Sequence, residues 1–142
     1  MAGTALALME TLADFGIDLE VIEARSVRPL DMTTIINSVQ RTGTLVVADT
    51  AWKTGGIAGE VVAAVTESAF SSLKRAPLRV ALPDLPVPTS PHLIRDYYPD
   101  ALYLARVIAV HLGQTIPDAE LVSRLSRATP HDVPQREFRG PF

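Results

Sequence analysis

Thr54, Gly55 and Gly56 stand where nucleotide-binding proteins often place a phosphate-binding loop. In the stretch TLVVADTAWKTGGIAGEVVAAV (residues 44–65), a short apolar run ends at Asp49 and two glycines open a helix. A strand, a glycine-rich turn and a helix N-terminus can hold a phosphate with backbone N–H groups. The pattern GGIAG is neither G-x-G-x-x-G nor G-x-x-x-x-G-K-[ST], however. A nucleotide or phosphate binder of flavodoxin type therefore ranks below the alternative, in which the glycines shape a tight turn and Thr54 caps the helix.

The remaining residues that could do chemistry form no complete catalytic or metal-binding set. Asp49 follows a predicted strand, but the further acids and the late lysine of a phosphoacceptor site are missing. His92, His111 and His131 are far apart, and none has a second ligand at metal-binding spacing. The sequence shows no Ser-His-Asp order and no G-x-S-x-G motif. Trp52, the only tryptophan, is either a contact residue in an exposed loop or a lid over the sheet edge.

Composition and charge exclude several classes of protein. The chain has 142 residues, of which 47% are hydrophobic and 20% charged, as in one ordinary globular domain. A net charge of -3 and a pI near 5.5 disfavour nucleic acid, whose phosphates need a basic face. The absence of cysteine excludes disulfides and thiolate chemistry. No apolar run approaches the ~20 residues of a membrane span, and the N-terminal stretch lacks a basic region. We therefore expect no membrane or nucleic-acid partner and a cytoplasmic location.

Alternating helix and strand patterns predict an α/β fold with a parallel sheet. Helices are predicted at residues 4–15, between the cap Asp31 and Gly43, at 57–73 and at 100–112, and strands at 18–24, 45–48 and 78–82. Three strands are fewer than the ~5–6 of a usual sheet, so the count predicts a missing strand ahead of the first helix. Residues 83–93 (PDLPVPTSPHL) form a stiff, proline-rich connector. Residues 114–142 hold one short helix, capped by Asp118, and an extended tail that contains prolines.

Several stretches together resemble the C-terminal domain of transketolase-like proteins. They are GIDLEVIEARSVRPLDMTTIINSVQRTGTLVVADTAWKTGGIAGEVVAAV, DLPVPTSPHL and YYPD. The combination of I-D-x-E-V-I-x-x-R-x-x-R-P-L-D, S-V-x-x-T-G and W-x-T-G-G-x-x-x-E is most similar to one subunit type. This is the beta subunit of the thiamine-diphosphate-dependent dehydrogenase component of 2-oxo-acid dehydrogenase complexes. The resemblance covers residues 3 to about 113, which divides the chain into a domain at 1–113 and the segment 114–142.

The resemblance implies a three-layer α/β/α sandwich with a mostly parallel sheet that lacks its N-terminal strand. It also implies an assembly role, because the C-terminal domain of this family mainly builds subunit interfaces and helps to dock the acyltransferase core. Thiamine diphosphate and magnesium belong to the holoenzyme, in which a pyrimidine-binding half and an alpha subunit supply the cofactor site. We therefore expect this chain to bind no cofactor and to be inactive alone, as one part of an oligomeric oxidoreductase or transketolase-like transferase.

The resemblance implies interface or structural roles for eight residues and catalytic roles for none. They are Arg28, Asp31, Trp52, Thr54, Gly55, Gly56, Glu60 and His92. The expected partners are the pyrimidine-binding half, the alpha subunit and the acyltransferase or carrier component.

Several questions stay open at this point. In the family a central strand precedes the first helix, so we expect that the chain begins within a longer reading frame or that a partner supplies this strand. The alternative function is a free-standing interaction or regulatory module with the same fold and no attached enzyme. The stretch SPHLIRDYYPD departs from many relatives, which carry an acid soon after the position of His92. The identity of the oxo acid or ketose and the role of the tail also stay open.

Overall fold

Six α-helices and two β-strands are present among residues 2–94 and 97–126, which a computed structural model of the protein describes. The helices are α1 (Ala2–Ala13), α2 (Met32–Thr42), α3 (Ile57–Ala69), α4 (Pro91–Ile94), α5 (Ala101–Leu112) and α6 (Asp118–Leu125). The strands are β1 (Val46–Trp52) and β2 (Leu78–Leu82), and a 3-10 turn (Phe70–Ser72) follows α3. Within these residues no helix has the length and apolar character needed to cross a bilayer.

The two strands pair in parallel. Val46 lies opposite Leu78 and Ala48 lies opposite Val80, and the register then shifts before Trp52 pairs with Leu82. The connection from β1 to β2 runs through α3, as a parallel pair requires a crossover. The predicted α/β class with a parallel sheet is confirmed.

Two apolar clusters cover the opposite faces of this sheet. The first contains Leu8 and Leu12 of α1 together with side chains of α5 and α6, and Val46 packs against it. The second joins α2 and α3, and Val47 packs against it. Val46 and Val47 are consecutive, so their side chains point to opposite faces of the strand. A single strand therefore separates helices in two layers, which gives the α/β/α order expected from the sequence.

Residues 18–24, predicted as a strand, form no strand in the structure. The segment is without regular structure, and none of its backbone groups bonds to another described backbone group. The Glu20 carboxylate accepts hydrogen bonds from the Ser38 hydroxyl at 2.9 Å and from Arg41 at 2.5 Å, which ties the segment to α2. Alternating side chains predict which faces a strand would show, but a strand also needs a neighbour to bond. The prediction was wrong because the described residues hold no such neighbour at this point.

Three further boundaries differ from the predictions. β1 continues beyond residue 48, which places Asp49 inside the strand and Trp52 at its end rather than in a loop. α3 ends at Ala69 rather than at residue 73. The connector is not extended throughout, because α4 adds one helical turn at its end.

The predicted ends of α2 agree with the structure, but the predicted cap Asp118 was wrong: α6 follows Pro117 with no side-chain cap, and the Asp118 carboxylate accepts from Arg106 instead. The Asp31 side chain accepts a hydrogen bond from the backbone N–H of Thr34 at 3.1 Å, and Gly43 closes α2 with a φ of 76°. The Asp100 side chain accepts from the N–H of Tyr103 at 2.8 Å at the start of α5. Both are standard side-chain caps, which satisfy N–H groups that the first helical turn leaves unbonded.

Candidate subunit interface

The chain turns sharply from β1 into α3 at residues 52–56, which we call the Trp52 turn. The N–H of Lys53 donates to the Leu82 carbonyl at 2.9 Å, so the β1–β2 contact extends into the turn. Gly55 has a φ of 74°, which favours glycine. A β-carbon on Gly56 would lie only 2.3 Å from the Trp52 carbonyl oxygen. Both glycines are therefore explained by the backbone path of the turn.

Asp84 holds the connector against the Trp52 turn. One of its carboxylate oxygens accepts from the Thr54 N–H at 3.0 Å and the other from the Thr54 hydroxyl at 2.6 Å. The hydroxyl bond and then the N–H bond hold the pKa of Asp84 below its ordinary value, and the positive charges of Lys53 and Arg79 act in the same direction. Arg79 also donates to the Lys53 carbonyl at 3.2 Å.

Thr54 is not the cap of α3, contrary to the sequence-based interpretation. The N-cap is Gly56, and no side chain bonds to this helix end. Thr54 uses its hydroxyl and its N–H on Asp84 instead. The reason is that the carboxyl ends of parallel strands meet at one edge of a sheet, which brings the residue after β2 close to the turn after β1.

The same bonds argue against a phosphate at the Trp52 turn. The Thr54 N–H and hydroxyl are two of the donors that this turn could offer to a phosphate, and both are occupied by the Asp84 carboxylate. The negative charge of Asp84 would also repel a phosphate placed within hydrogen-bonding distance of Thr54. Asp49 offers no alternative, because one of its oxygens accepts from the N–H of Ala51 at 3.1 Å and the other is buried without a partner in the described residues.

Large apolar side chains are exposed beside the two Thr54–Asp84 hydrogen bonds, which we call the clamp. Trp52 is 55% exposed, Leu85 62% and Val87 48%. Thr54 is two residues after Trp52, and Asp84 directly precedes Leu85. Because Thr54 and Asp84 are hydrogen-bonded, Trp52 and Leu85 lie in the same part of the molecule. We call Trp52 and Leu85 the Trp52 surface. Exposed apolar patches of this kind mark protein contacts more often than isolated apolar residues do.

A buried tyrosine fixes the other side of the connector. The Tyr97 hydroxyl donates to the Leu85 carbonyl at 2.7 Å, and Tyr97 is only 7% exposed. The connector is thus bonded at two consecutive residues, Asp84 and Leu85, although it carries few backbone hydrogen bonds of its own. This fixed backbone presents the Leu85 side chain to solvent.

The structure brings together only some of the eight predicted residues. Trp52, Thr54, Gly55 and Gly56 form the Trp52 turn, and Glu60 follows in the first turn of α3, where a negative charge suits the helix dipole. The others lie elsewhere and share no described hydrogen bond or ion pair with the Trp52 turn: Arg28 is exposed before α2, Asp31 caps α2, and His92 is exposed in α4.

Asp84, Arg79 and Tyr97 were not predicted as site residues. Asp84 is the second residue after the end of β2. An acid at the carboxyl end of a parallel strand was the signal that could have identified it. Among the described residues no group of His, Cys, Asp and Glu could hold a metal ion.

Comparison with known proteins gives one family. The profile of the family described as "Transketolase, C-terminal domain" matches residues 1–102. The acetoin:2,6-dichlorophenolindophenol oxidoreductase subunit beta of Cupriavidus necator is 42% identical over 105 residues, which are 74% of this chain and 31% of that protein. The pyruvate dehydrogenase E1 component subunit beta of Leifsonia xyli is 42% identical over 108 residues, 76% of this chain and 32% of that protein. The corresponding mitochondrial beta-1 subunit of Arabidopsis thaliana is 42% identical over 95 residues, 67% of this chain and 26% of that protein.

The comparisons confirm the resemblance to dehydrogenase beta subunits. The chain spans about a third of the length of the relatives from Cupriavidus and Leifsonia. Both the family profile and these relatives cover the strands, the Trp52 turn and the connector in a chain whose structure has a parallel sheet between helices. The chain belongs to the transketolase C-terminal domain family.

Proposed function

We propose that this chain is the assembly domain of a thiamine-diphosphate-dependent 2-oxo-acid dehydrogenase beta subunit or of a related ketol-transferring enzyme. The observation that carries the proposal is the 42% identity to an oxidoreductase beta subunit over 105 residues. The chain matches only 31% of that subunit, so the rest of the enzyme is the proposed partner. In this role the chain has no catalytic activity alone and contributes to an oligomer with the pyrimidine-binding half, the alpha subunit and the acyltransferase or carrier component.

Thiamine diphosphate and magnesium are proposed to bind to other parts of the enzyme. Among the described residues no group of three or more His, Cys, Asp and Glu side chains could hold a metal ion. The glycine-rich turn is the place where a diphosphate would be sought first, and there the Thr54 N–H and hydroxyl donate to the Asp84 carboxylate. The chain's own contribution is therefore to position the neighbouring subunits.

The Trp52 surface is the proposed contact with those subunits. Trp52 and Leu85 are exposed on a backbone that Asp84 and Tyr97 hold in place. Aromatic residues are enriched at the buried centres of protein interfaces, where they contribute much of the binding energy. A rigid surface also loses little conformational freedom on binding.

A chimeric enzyme tests the proposal. The full chain replaces the matched part of the Cupriavidus necator beta subunit, and the chimera is co-expressed with the alpha subunit of that enzyme. We expect the chimera to assemble with the alpha subunit, as measured by light scattering after size exclusion, and to reduce 2,6-dichlorophenolindophenol with acetoin. A folded chimera that stays unassembled would contradict the proposal and favour the free-standing interaction module.

The contribution of the Trp52 surface is tested in the same chimera. The double substitution Trp52→Ala and Leu85→Ala should weaken assembly, with a loss of about 2 kcal/mol or more if these residues lie at the centre of the interface. The matched control is Val110→Ala, which truncates a residue that is 78% exposed on α5. Equal assembly of both variants would place the interface elsewhere on the chain.

The cytoplasm is the proposed compartment. The net charge and composition on which this rests are those of an ordinary soluble domain. Several of the relatives are named as mitochondrial, so localisation of a tagged full-length protein in its own cells is the measurement that decides.

A further inference from the structure

Proline chemistry fixes the backbone of residues 85–88, whose sequence is Leu-Pro-Val-Pro. At Pro86 and Pro88 the pyrrolidine ring holds φ at about −65°. The same ring disfavours the helical region for the residue that precedes it, here Leu85 and Val87. All four residues are thus confined to extended or polyproline II backbone, and none belongs to a helix or strand of the structure. We call them the proline segment.

The backbone of the proline segment has unused acceptors and almost no donors. Among residues 2–94 and 97–126, no group donates to the carbonyls of Pro86, Val87 and Pro88, and the Val87 N–H has no acceptor. The two prolines have no N–H at all. A β-strand added to this backbone would find no regular ladder, because a ladder uses both the N–H and the C=O groups of each strand. A partner that binds here therefore donates to carbonyls and recognises side chains.

The side chains of the proline segment are exposed and uncharged. Leu85 is 62% exposed and Val87 48%, and Pro86 is exposed between them. Residues 85–91 contain no charged residue, and the charge of Asp84, just ahead of them, is held by the Thr54 bonds. A complementary surface is therefore apolar, with side-chain donors for the carbonyls. Grooves lined by aromatic side chains have this chemistry and bind polyproline II segments in other proteins.

The proline segment is held in place within the chain itself. The Tyr97 hydroxyl donates to the Leu85 carbonyl at 2.7 Å, and the preceding Asp84 is bonded to Thr54. The prolines restrict the residues that follow without any further contact. A ligand already in its bound conformation loses little conformational entropy on binding. The proline segment is therefore preorganised as a ligand, unlike a flexible exposed loop.

We propose that the proline segment docks as a polyproline II ligand into an aromatic-lined groove of a neighbouring subunit. This docking rests on the proposed function and specifies how the Leu85 part of the Trp52 surface is recognised. The prolines fill the groove, Leu85 and Val87 pack beside it, and side chains of the groove donate to the free carbonyls. Recognition then depends on the backbone conformation as well as on the apolar side chains.

Dilution of the chimera with the Cupriavidus necator beta subunit tests this docking. The parent chimera is compared with the double variant Pro86→Ala and Pro88→Ala, which keeps apolar side chains but frees the backbone. We expect the variant to need at least about tenfold higher concentration to assemble with the alpha subunit, as measured by light scattering. Pro77→Ala is the matched control, since Pro77 directly precedes β2, at the end of the strand opposite the connector. It should assemble as the parent does.

Two substitutions of Val87 separate recognition of the backbone from apolar contact. Val87→Pro stiffens the proline segment, and the N–H that it removes has no acceptor within the part of the chain that the structure describes. Val87→Gly makes the same backbone flexible. We expect Val87→Pro to assemble at least as tightly as the parent, and Val87→Gly to need at least about fivefold higher concentration. Circular dichroism verifies that both variants are folded.

Hydroxyl-radical footprinting of the parent chimera locates the contact without any substitution. These radicals oxidise exposed side chains, and oxidation of Leu85 and Val87 should fall by at least about fivefold on assembly, because the centre of an interface is buried. Val110 on α5, which is 78% exposed, should be oxidised equally before and after assembly.

A parent chimera that stays unassembled would contradict both the proposed function and the docking of the proline segment. If the parent assembles, three results would overturn the docking alone. They are equal assembly of the double proline variant at every dilution, weaker assembly of Val87→Pro than of the parent, and undiminished oxidation of Leu85 and Val87 in the complex.

Discussion

At the scale of single residues, the path of the backbone requires glycine at position 56. A β-carbon there would approach the Trp52 carbonyl oxygen to 2.3 Å, and backbone cannot move aside as a flexible side chain can. We expect Gly56→Ala to lower the free energy of unfolding by about 1–3 kcal/mol, the range of substitutions that force a local rearrangement. Urea unfolding followed by circular dichroism measures the change.

Gly59, three residues further on, is the matched control. It lies inside α3, and its β-carbon would meet only the Arg79 guanidinium at 3.5 Å, which is an ordinary contact. Gly59→Ala should raise the free energy of unfolding by about 0.5–1 kcal/mol, since alanine is the better helix former. A loss of stability in both variants would contradict the geometry of the turn.

Asp84 makes a pH-dependent contribution to stability. Its pKa is below the ordinary 3.8 in the folded chain, first because of the Thr54 hydroxyl bond. The folded state therefore favours the ionised form, so the contribution is present above pH 3.8 and is lost as the pH falls through the folded-state pKa. We expect the parent to be more stable than Asp84→Asn near neutral pH, and this difference to shrink in acid. Urea midpoints across the pH range measure it.

Variants of Thr54 are the control for that pH dependence. Thr54→Val removes the hydroxyl bond and should reduce the pH-dependent difference, whereas Thr54→Ser keeps the hydroxyl and should preserve it. Added salt should weaken the effect of Lys53 and Arg79, because exposed charges are screened. If the parent and Asp84→Asn lost stability in parallel through the acid range, the Thr54–Asp84 hydrogen bonds would not contribute to the pH dependence of stability.

At the scale of elements, the Asp100 cap stabilises the start of α5, a helix that packs in the first apolar cluster. Asp100 accepts from the Tyr103 N–H at 2.8 Å, and α5 then buries Leu104 and Ile108 in the first cluster. We expect Asp100→Ala to lower the free energy of unfolding by about 1 kcal/mol, as is typical for loss of an N-cap. Thermal unfolding measures the change. Asp100→Asn, whose side-chain oxygen can still accept, should stay near the parent, and equal losses would show that the cap is not the cause.

At the scale of the whole molecule, β1 and β2 are the layer shared by the two apolar clusters. Leu12 is fully buried in the first cluster and Val65 is fully buried in the second. We expect Leu12→Ala to cost about 2–5 kcal/mol, because it leaves a cavity, and Val65→Ala to cost about 1–3 kcal/mol. Both variants should shift one common transition, since a single domain of this size normally unfolds as one unit.

The control for this prediction is in the same helix. Leu6→Ala makes the same chemical change in α1 at a residue that is 60% exposed, and it should change the free energy of unfolding by no more than about 0.5 kcal/mol. Two separate transitions, with Leu12→Ala affecting one and Val65→Ala the other, would show that the clusters unfold independently. Denaturant unfolding monitored by both circular dichroism and Trp52 fluorescence distinguishes these cases.

Much of the fold was predictable because its signals are local. The helix between Asp31 and Gly43 was placed from a cap, an apolar stripe and a closing glycine, and all three act within one helix. The resemblance to dehydrogenase beta subunits was likewise carried by short motifs, and the comparisons confirm it. The assignment of individual interface residues and the domain boundary at residue 113 stay predictions.

The features that the sequence left undecided depend on residues far apart in the chain. Residues 18–24 alternate like a strand, yet a strand forms only where another backbone lies beside it. Thr54 looked like a cap, and only the folded chain brings Asp84, thirty residues away, to its hydroxyl. Local patterns thus determined most of the helices and the family. The tertiary structure decided which strands pair and what Thr54 bonds to, because each of these depends on long-range contacts.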